Sequence, residues 1–209
     1  MPTRFAEISF TDSVKLAQTR YGSRESNRGF ELSDEPRNRL TAAEQSFIEA
    51  RDSFYQATVG QNGWPYVQFR GGPPGFIKVL DDQTIGFADF RGNRQYISVG
   101  NLGAEERIAL IFMDYPSRRR LKLWARAKVI DAIDDPALVA RLEVSGYRAQ
   151  VERGIILTIE AFDWNCPRHI TPRYRKEEVQ ALFLNPLEAQ IAALTQEIEA
   201  LKAGKDSSQ

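Results

Sequence analysis

Short turns between strand-like segments constrain this chain more than any other feature. Phe54 to Val59 and Trp64 to Phe69 flank Gln61-Asn62-Gly63, and Asn-Gly supplies the positive φ angles that a tight hairpin requires. Phe76 to Leu80 and Thr84 to Phe87 flank Asp81-Asp82 in the same way. Turns this short join antiparallel neighbours, because parallel strands need a long crossover. Ile108 to Met113 is a continuous apolar run, which predicts a central strand covered on both faces. Leu121, Leu123, Ala125, Ala127 and Val129 alternate with Lys122, Trp124, Arg126 and Lys128, the period of a strand with one wet face. Ile155 to Phe162 returns to strand. Six or more strands with few helices predict a mainly β protein, an antiparallel barrel or sandwich with flanking helices.

The flanks read differently. Residues 1–36 are polar and arginine-rich, with Tyr21-Gly22-Ser23-Arg24 and Asn27-Arg28-Gly29 reading as turns, so an N-terminal arm that packs on the body is expected. Thr41-Ala42-Ala43-Glu44 is a capping box that starts a helix whose Phe47, Ile48 and Phe54 recur near helical spacing. Asp135-Pro136 opens a short helix reaching about Ser145. After Asn185-Pro186, the residues Leu187, Ile191, Leu194, Ile198 and Leu201 recur at spacings of four and three, a heptad seam. It runs slightly over two heptads, and it either lies on its own domain or faces a partner. The organisation expected is an arm over 1–36, a β domain over 37–185, and a C-terminal amphipathic helix and tail over 186–209.

Charge removes several function classes. The 28 basic and 28 acidic side chains cancel, so no global field draws the protein to nucleic acid or to an anionic membrane. Any anion site must be local. The first residues lack the apolar core of a signal peptide, and Ile108 to Met113, the longest apolar run, is too short to span a bilayer. A single cysteine, Cys166, rules out an internal disulfide and agrees with a reducing compartment. A cytoplasmic protein without membrane or nucleic-acid partners is expected.

Binding chemistry concentrates between Gly63 and Leu102. The order is strand, glycine-rich loop, strand, turn, strand and arginine-bearing loop, which can hold a phosphorylated, planar ligand against a sheet. Arg70 ends a strand just before Gly71-Gly72, where missing side chains let the backbone approach a ligand. Asn93-Arg94-Gln95 follows Phe90 and Arg91-Gly92, at the start of a helix whose amides face an anion. Gly-Gly-Pro-Pro-Gly suits a plain hairpin loop as well, with its neighbouring arginines solvated.

Arg-Gly-Gly-Pro-Pro-Gly-Phe (70–76), Asp-Phe-Arg-Gly-Asn-Arg-Gln (89–95) and Gly-Asn-Leu (100–102) resemble motifs of the pyridoxamine 5′-phosphate oxidase-like, FMN-binding split-barrel superfamily, in an uncharacterised branch. The likeness covers about 80 residues, Ser53 to Asp131, and Trp164-Asn165-Cys166-Pro167 with Ile170-Thr171-Pro172-Arg173 looks like a closing motif of that branch. The resemblance implies an antiparallel split barrel with FMN lying between the two subunits of a homodimer. It makes Arg94 the chief phosphate ligand and Asn93 a donor, with Gln95 standing where the oxidase has a lysine. Gln68 or Arg70 would compensate for that lost charge, and Gly71 follows on the same strand. Asp89 and Phe90 match positions near the flavin ring, and Asn101 matches a polar residue of the following helix. A flavin-dependent oxidoreductase acting on a small molecule is implied; a non-catalytic flavin-binding or flavin-sensing protein is the alternative. The Arg-Leu-His context with which the oxidase holds its substrate phosphate is absent, only Arg168-His169 standing in another frame, so vitamin B6 oxidation is not implied. Haem binding by a related barrel would need an axial ligand, for which His169 is the sole histidine.

Catalytic residues are not legible, since no carboxylate stands out beside the proposed ring. Cys166 and His169 form a Cys-x-x-His pair, but structural zinc needs four ligands, and a buried, inert thiol is the simpler expectation. Ser117-Arg118-Arg119-Arg120 reads as a solvated hairpin tip. Of Trp64, Trp124 and Trp164, Trp124 falls on the polar phase of its strand and is expected to be the exposed one.

Overall fold

The computed structural model describes residues 3–33 and 35–206, the side chains of 203–206 excepted. The chain forms two compact units, one from residues up to Asp114 together with Arg119–Arg168, the other from Tyr115–Arg118 and the chain from His169 onward.

Three short helices open the first unit: α1 (Arg4–Ser9), α2 (Asp12–Arg20) and α3 (Arg24–Leu32). Thr3 caps α1 by accepting a hydrogen bond from the Ala6 amide at 3.1 Å. Phe5 anchors the arm, its ring 5.5 Å from Trp124 and within 5.6 Å of Phe10 and Phe30. Neither α2 nor α3 buries a residue. The turn expected at Asn27-Arg28-Gly29 is instead the middle of α3. There Asn27 Nδ2 donates to the Ser23 carbonyl at 2.8 Å and Arg28 reaches Glu25 at 3.1 Å, so contacts along the helix override the local turn preference. The arm also reverses the order of tryptophan exposure. Phe5 covers Trp124, whereas Trp64 beside the first hairpin turn is 75% exposed.

The predicted capping box begins α4 (Ala42–Glu49). Glu44 accepts from the Thr41 amide at 3.0 Å and, through its other oxygen, from Trp164 Nε1 at 2.7 Å, which ties the helix to the last strand. Burial pushes the Glu44 carboxyl up, but the hydrogen bonds from Thr41 and Trp164 outweigh it and hold it below the usual range. A lowered folded pKa stabilises above the unfolded value near 4.5 and is lost as pH falls through the folded one. Glu44→Gln is therefore expected to flatten the acid limb of the stability curve below about pH 4.5, read by denaturant melts at several pH values. An unchanged acid limb would refute that assignment.

Seven strands follow: β1 (Ser53–Val59), β2 (Pro65–Gly71), β3 (Ile77–Val79), β4 (Thr84–Phe90), β5 (Arg107–Asp114), β6 (Arg119–Asp131) and β7 (Val151–Asn165). Helix α5 (Ile97–Ala104) lies between β4 and β5 in sequence, and α6 (Pro136–Leu142) between β6 and β7. Asp135 caps α6, accepting from the Leu138 amide at 2.9 Å. All pairings are antiparallel, in the order β2-β1-β5-β6-β7-β4-β3, and β2 and β3 remain separate edges. Gly63 takes φ +82° in the first hairpin, as Asn-Gly predicts.

The sheet curls strongly. Phe54 on β1 lies 5.1 Å from Phe87 on β4, although three strands separate them in the sheet, and it also meets Phe76 and Phe112. Only a curved sheet can bring both ends around one aromatic core, and this open, curved sheet is the split barrel. The alternation in β6 is realised, with Leu121, Leu123, Ala125 and Ala127 buried.

In the second unit, α7 (Lys176–Val179) runs through a π-helical stretch (Gln180–Leu184) into α8 (Asn185–Asp206). The helix thus starts nine residues before the expected Asn185-Pro186 boundary. Proline has no amide to donate and its ring crowds the carbonyl four residues back; the wider π turn just before Pro186 relieves both, so the helix continues. Tyr174 packs edge-on against Phe183, ring centres 5.2 Å apart. Among the described residues, no helix is long and apolar enough to cross a membrane.

Candidate functional site

One cavity of about 210 Å³ in the first unit collects residues from β2, β4, the loop after β4, α5 and β7. Gln68, Arg70, Asp89, Phe90, Asn93, Arg94 and Gln95 line it. Gly71 and Asn101 lie outside it. Gly71 sits at the end of β2, where an added Cβ would meet the Phe69 ring at 3.0 Å, and Asn101 donates to Thr58 Oγ1 at 3.0 Å. The adjacent Gly72 makes room for the chain's own Phe76, whose ring carbon a Cβ would approach to 2.7 Å.

An ion cluster centred on Asp89 lines the cavity, and its Arg153 also pairs with Glu152 at 3.2 Å and with Asp131 at 3.4 Å. Arg70 on β2 donates to Asp89 Oδ1 at 2.5 Å, and Arg153 on β7 donates to Asp89 Oδ2 at 2.6 Å. Asp89 is 4% exposed, so its charge is neutralised by two guanidinium groups rather than by water. Arg70 and Asp89 belong to strands from opposite ends of the sheet, and their contact bridges the split. Burial works against the Arg153 charge, yet Asp89 outweighs it and raises the guanidinium above its ordinary value. Arg70 Nε is buried without a hydrogen-bond partner, which leaves one donor directed to no protein atom.

A bulge in β7 aims two neighbouring side chains into the same space. Asp89 pairs with Arg153 but Phe90 pairs with Val151, so Glu152 is an extra residue. Consecutive residues of a regular strand face opposite sides; here Glu152 and Arg153 both line the cavity. Glu152 accepts from the Tyr96 hydroxyl at 3.1 Å, and Arg153 lies 5.0 Å over the Tyr96 ring.

The loop after β4 is wound tightly. Arg94 and Tyr96 adopt left-handed φ values of 61° and 55°, a conformation that costs non-glycine residues about 1–3 kcal/mol each. Asn93 Oδ1 accepts from the Gln95 amide at 3.1 Å, and Arg94 Nε donates to the Tyr96 hydroxyl at 3.3 Å. Tyr96 is the N-cap of α5 and offers it no side-chain cap. The first amides of a helix have no partner within it, and Ile97, Ser98 and Val99 line the cavity. Ser98 Oγ donates to Gln68 Oε1 at 2.7 Å, which docks α5 on β2.

Three arginines and two carboxylates line the cavity, so a chain with no net charge carries one local positive charge here, beside an uncapped helix start. This combination suits an anion. Sequence reasoning missed Tyr66, Tyr96, Ser98, Glu152 and Arg153, and Glu152 adds a second carboxylate to the anticipated Asp89. The only available signal was Val-Glu-Arg-Gly at 151–154, a charged pair entering an apolar strand.

Cys166 is exposed, contrary to the expected buried thiol, because it lies one residue beyond the end of β7. Of the basic run at 117–120, Ser117 and Arg118 lie at the turn between β5 and β6, with Arg118 at φ 51°, while Arg119 and Arg120 begin β6.

A profile of the pyridoxamine 5′-phosphate oxidase family matches residues 40–164. Among solved structures, HupZ of Group A Streptococcus resembles the chain at 15% identity and a TM-score of 0.49, over 65% of this chain and 99% of that one. A Clostridium acetobutylicum protein related to general stress protein 26, of the pyridoxinephosphate oxidase family, shows 17% identity and a TM-score of 0.44 over 66% and 94% of the two chains. An FMN-binding protein of Syntrophomonas wolfei shows 13% identity and a TM-score of 0.46 over 74% and 96%. Similarity at that level carries no information about chemistry. No curated protein matches the chain.

Proposed function

The chain belongs to the pyridoxamine 5′-phosphate oxidase family, and on that premise we propose that it is an FMN-binding flavoprotein, a flavin-dependent oxidoreductase acting on a small molecule, with the flavin held between two copies of the chain. The observation that carries the reading is the meeting of Arg94, Arg70 and the uncapped start of α5 around one cavity. These donors fit the group. Arg94 and the α5 amides would hold its phosphate, Asn93 would support the loop, and Gln68, Arg70 and Phe90 would meet the edge and face of the ring. When bound, the flavin supplies hydride or electron transfer, while the protein contributes orientation and electrostatics.

Pairing of two copies is supported by size. Ligand pockets usually enclose roughly 300–1,000 Å³; this cavity has about 210 Å³. A single chain thus offers only part of a wall. Tyr55, Val67 and Phe69 on β1 and β2 are also 38%, 62% and 57% exposed, an apolar surface suited to burial by a second copy.

A substrate other than pyridoxamine 5′-phosphate is proposed, because Arg168-His169 stands in a different frame from the oxidase's substrate-binding residues. A non-catalytic flavin binder is favoured by one observation. Both cavity carboxylates are already engaged, Asp89 by two arginines and Glu152 by Tyr96 and Arg153. Reduction by NAD(P)H followed by reoxidation would decide for the enzyme.

Titration with FMN is expected to quench flavin fluorescence to saturation, with riboflavin, which lacks the phosphate, binding about tenfold or more weakly. Absence of quenching by FMN would overturn the proposal.

A further inference from the structure

The apolar seam of α8 is uncovered. Leu187, Ile191, Leu194, Ile198 and Leu201 are between 51% and 63% exposed. Such a stripe along a 22-residue helix calls for a partner of matching periodicity.

Residue types along the seam say which partner fits. Counting heptads from the spacing, Ile191 and Ile198 occupy the a positions and Leu187, Leu194 and Leu201 the d positions. β-Branched residues at a with leucine at d favour two parallel strands over trimers or tetramers, because of how each side chain enters its hole on the facing helix. The flanking charges agree. Glu197 falls at g and Lys202 at the following e, and in a parallel, in-register pair the g residue of one helix faces that e residue of the other. Two such Glu197–Lys202 pairs form across the interface, one on each side. The preceding g and e positions, Gln190 and Thr195, are uncharged and compatible.

We infer that α8 zips to the same helix of a second copy as a parallel, in-register, two-stranded coiled coil. This deepens the paired-subunit reading above and rests on it. A seam of slightly over two heptads pairs weakly in isolation, but tethering to already paired barrels makes its closure intramolecular, with a high effective concentration. The zipper adds a second contact that keeps the two halves of a shared cavity together at low protein concentration.

The test uses the full chain in a Cys166→Ser background, which removes the native thiol. Leu194→Cys places one sulfur in each helix at the same d layer, where a parallel in-register pair brings them within disulfide reach. Oxidation is expected to convert it to covalent dimer, while Gln196→Cys at an outer position stays uncrosslinked. By sedimentation equilibrium, Ile191→Lys with Ile198→Lys is expected to raise the dimer dissociation constant about tenfold or more. Glu197→Lys alone and Lys202→Glu alone should each weaken the dimer, and the two together should restore it, an outcome that misfolding cannot mimic. Failure of Leu194→Cys to crosslink, or an unchanged dissociation constant in the double-lysine variant, overturns the zipper. FMN titration of the same variants separates the two readings. Saturable FMN binding by a dimer indifferent to the seam sinks only the zipper, whereas a monomer that takes up no FMN sinks both.

Discussion

Asp89→Ala is expected to destabilise the protein by about 3–5 kcal/mol, because it leaves the largely buried Arg70 guanidinium without its counter-ion and takes from Arg153 the nearest of the three carboxylates it meets, the others being Glu152 and Asp131. The Arg70 and Arg153 side chains are 15% and 11% exposed, so water cannot replace the lost carboxylate cheaply. The mutation also removes a tie between β2 and β4, the strands that approach from the two ends of the curled sheet. For a chain of this length the thermal midpoint should fall by roughly 10 °C. Replacing Arg70, Asp89 and Arg153 with apolar residues, Arg70→Met, Asp89→Leu and Arg153→Met, should cost less than Asp89→Ala alone, since no guanidinium is then left unpaired and Glu152 keeps the Tyr96 hydroxyl and Arg91. A loss below about 1 kcal/mol for Asp89→Ala, or a costlier triple variant, would show that water reaches the cluster and that the tie is not structural.

Arg94→Ala is expected to weaken FMN binding by about 1.5–3 kcal/mol, roughly ten- to a hundredfold, while leaving the melting temperature of the ligand-free protein nearly unchanged. Arg94 is exposed and spends its side chain only on the Tyr96 hydroxyl, so its removal strands no buried partner. It also sits at φ 61°, and Arg94→Gly would relieve that backbone while removing the same charge. A glycine variant that is more stable yet equally weak in binding would separate the two roles of the position. Gln95→Lys, by restoring a cation at the loop, should strengthen binding and steepen its dependence on salt. Equal affinity of Arg94→Ala and the parent for FMN would remove the phosphate from this loop.

Both predictions start from residues visible in the chain, yet they differ in how much of the argument was legible there. Arg94 stands in a short motif, and its loop is shaped by its immediate neighbours Asn93, Gln95 and Tyr96. Asp89 was legible as a site residue, but its partners were not. Arg153 lies 64 positions away, and it reaches Asp89 in register through the pairing of β4 with β7. Glu152 shares its cavity only because of the bulge at that point, and no local pattern announces a bulge.

Local physics made the hairpin at Asn62-Gly63, the capping box at Thr41, the alternation of β6 and the heptads of α8 readable from the sequence, because a turn, a cap and a hydrophobic period each depend on residues a few positions apart. Those same rules misjudged Asn27-Arg28-Gly29, Cys166 and the tryptophans, where helix contacts, the end of β7 and the packing of Phe5 against Trp124 prevailed. Curling of the sheet around Phe54, the bridge from Arg70 through Asp89 to Arg153 and the crowding of seven anticipated site residues into one cavity came from the folded structure. Each joins segments distant in the chain, and their meeting is set by strand order and register, which composition and spacing do not encode.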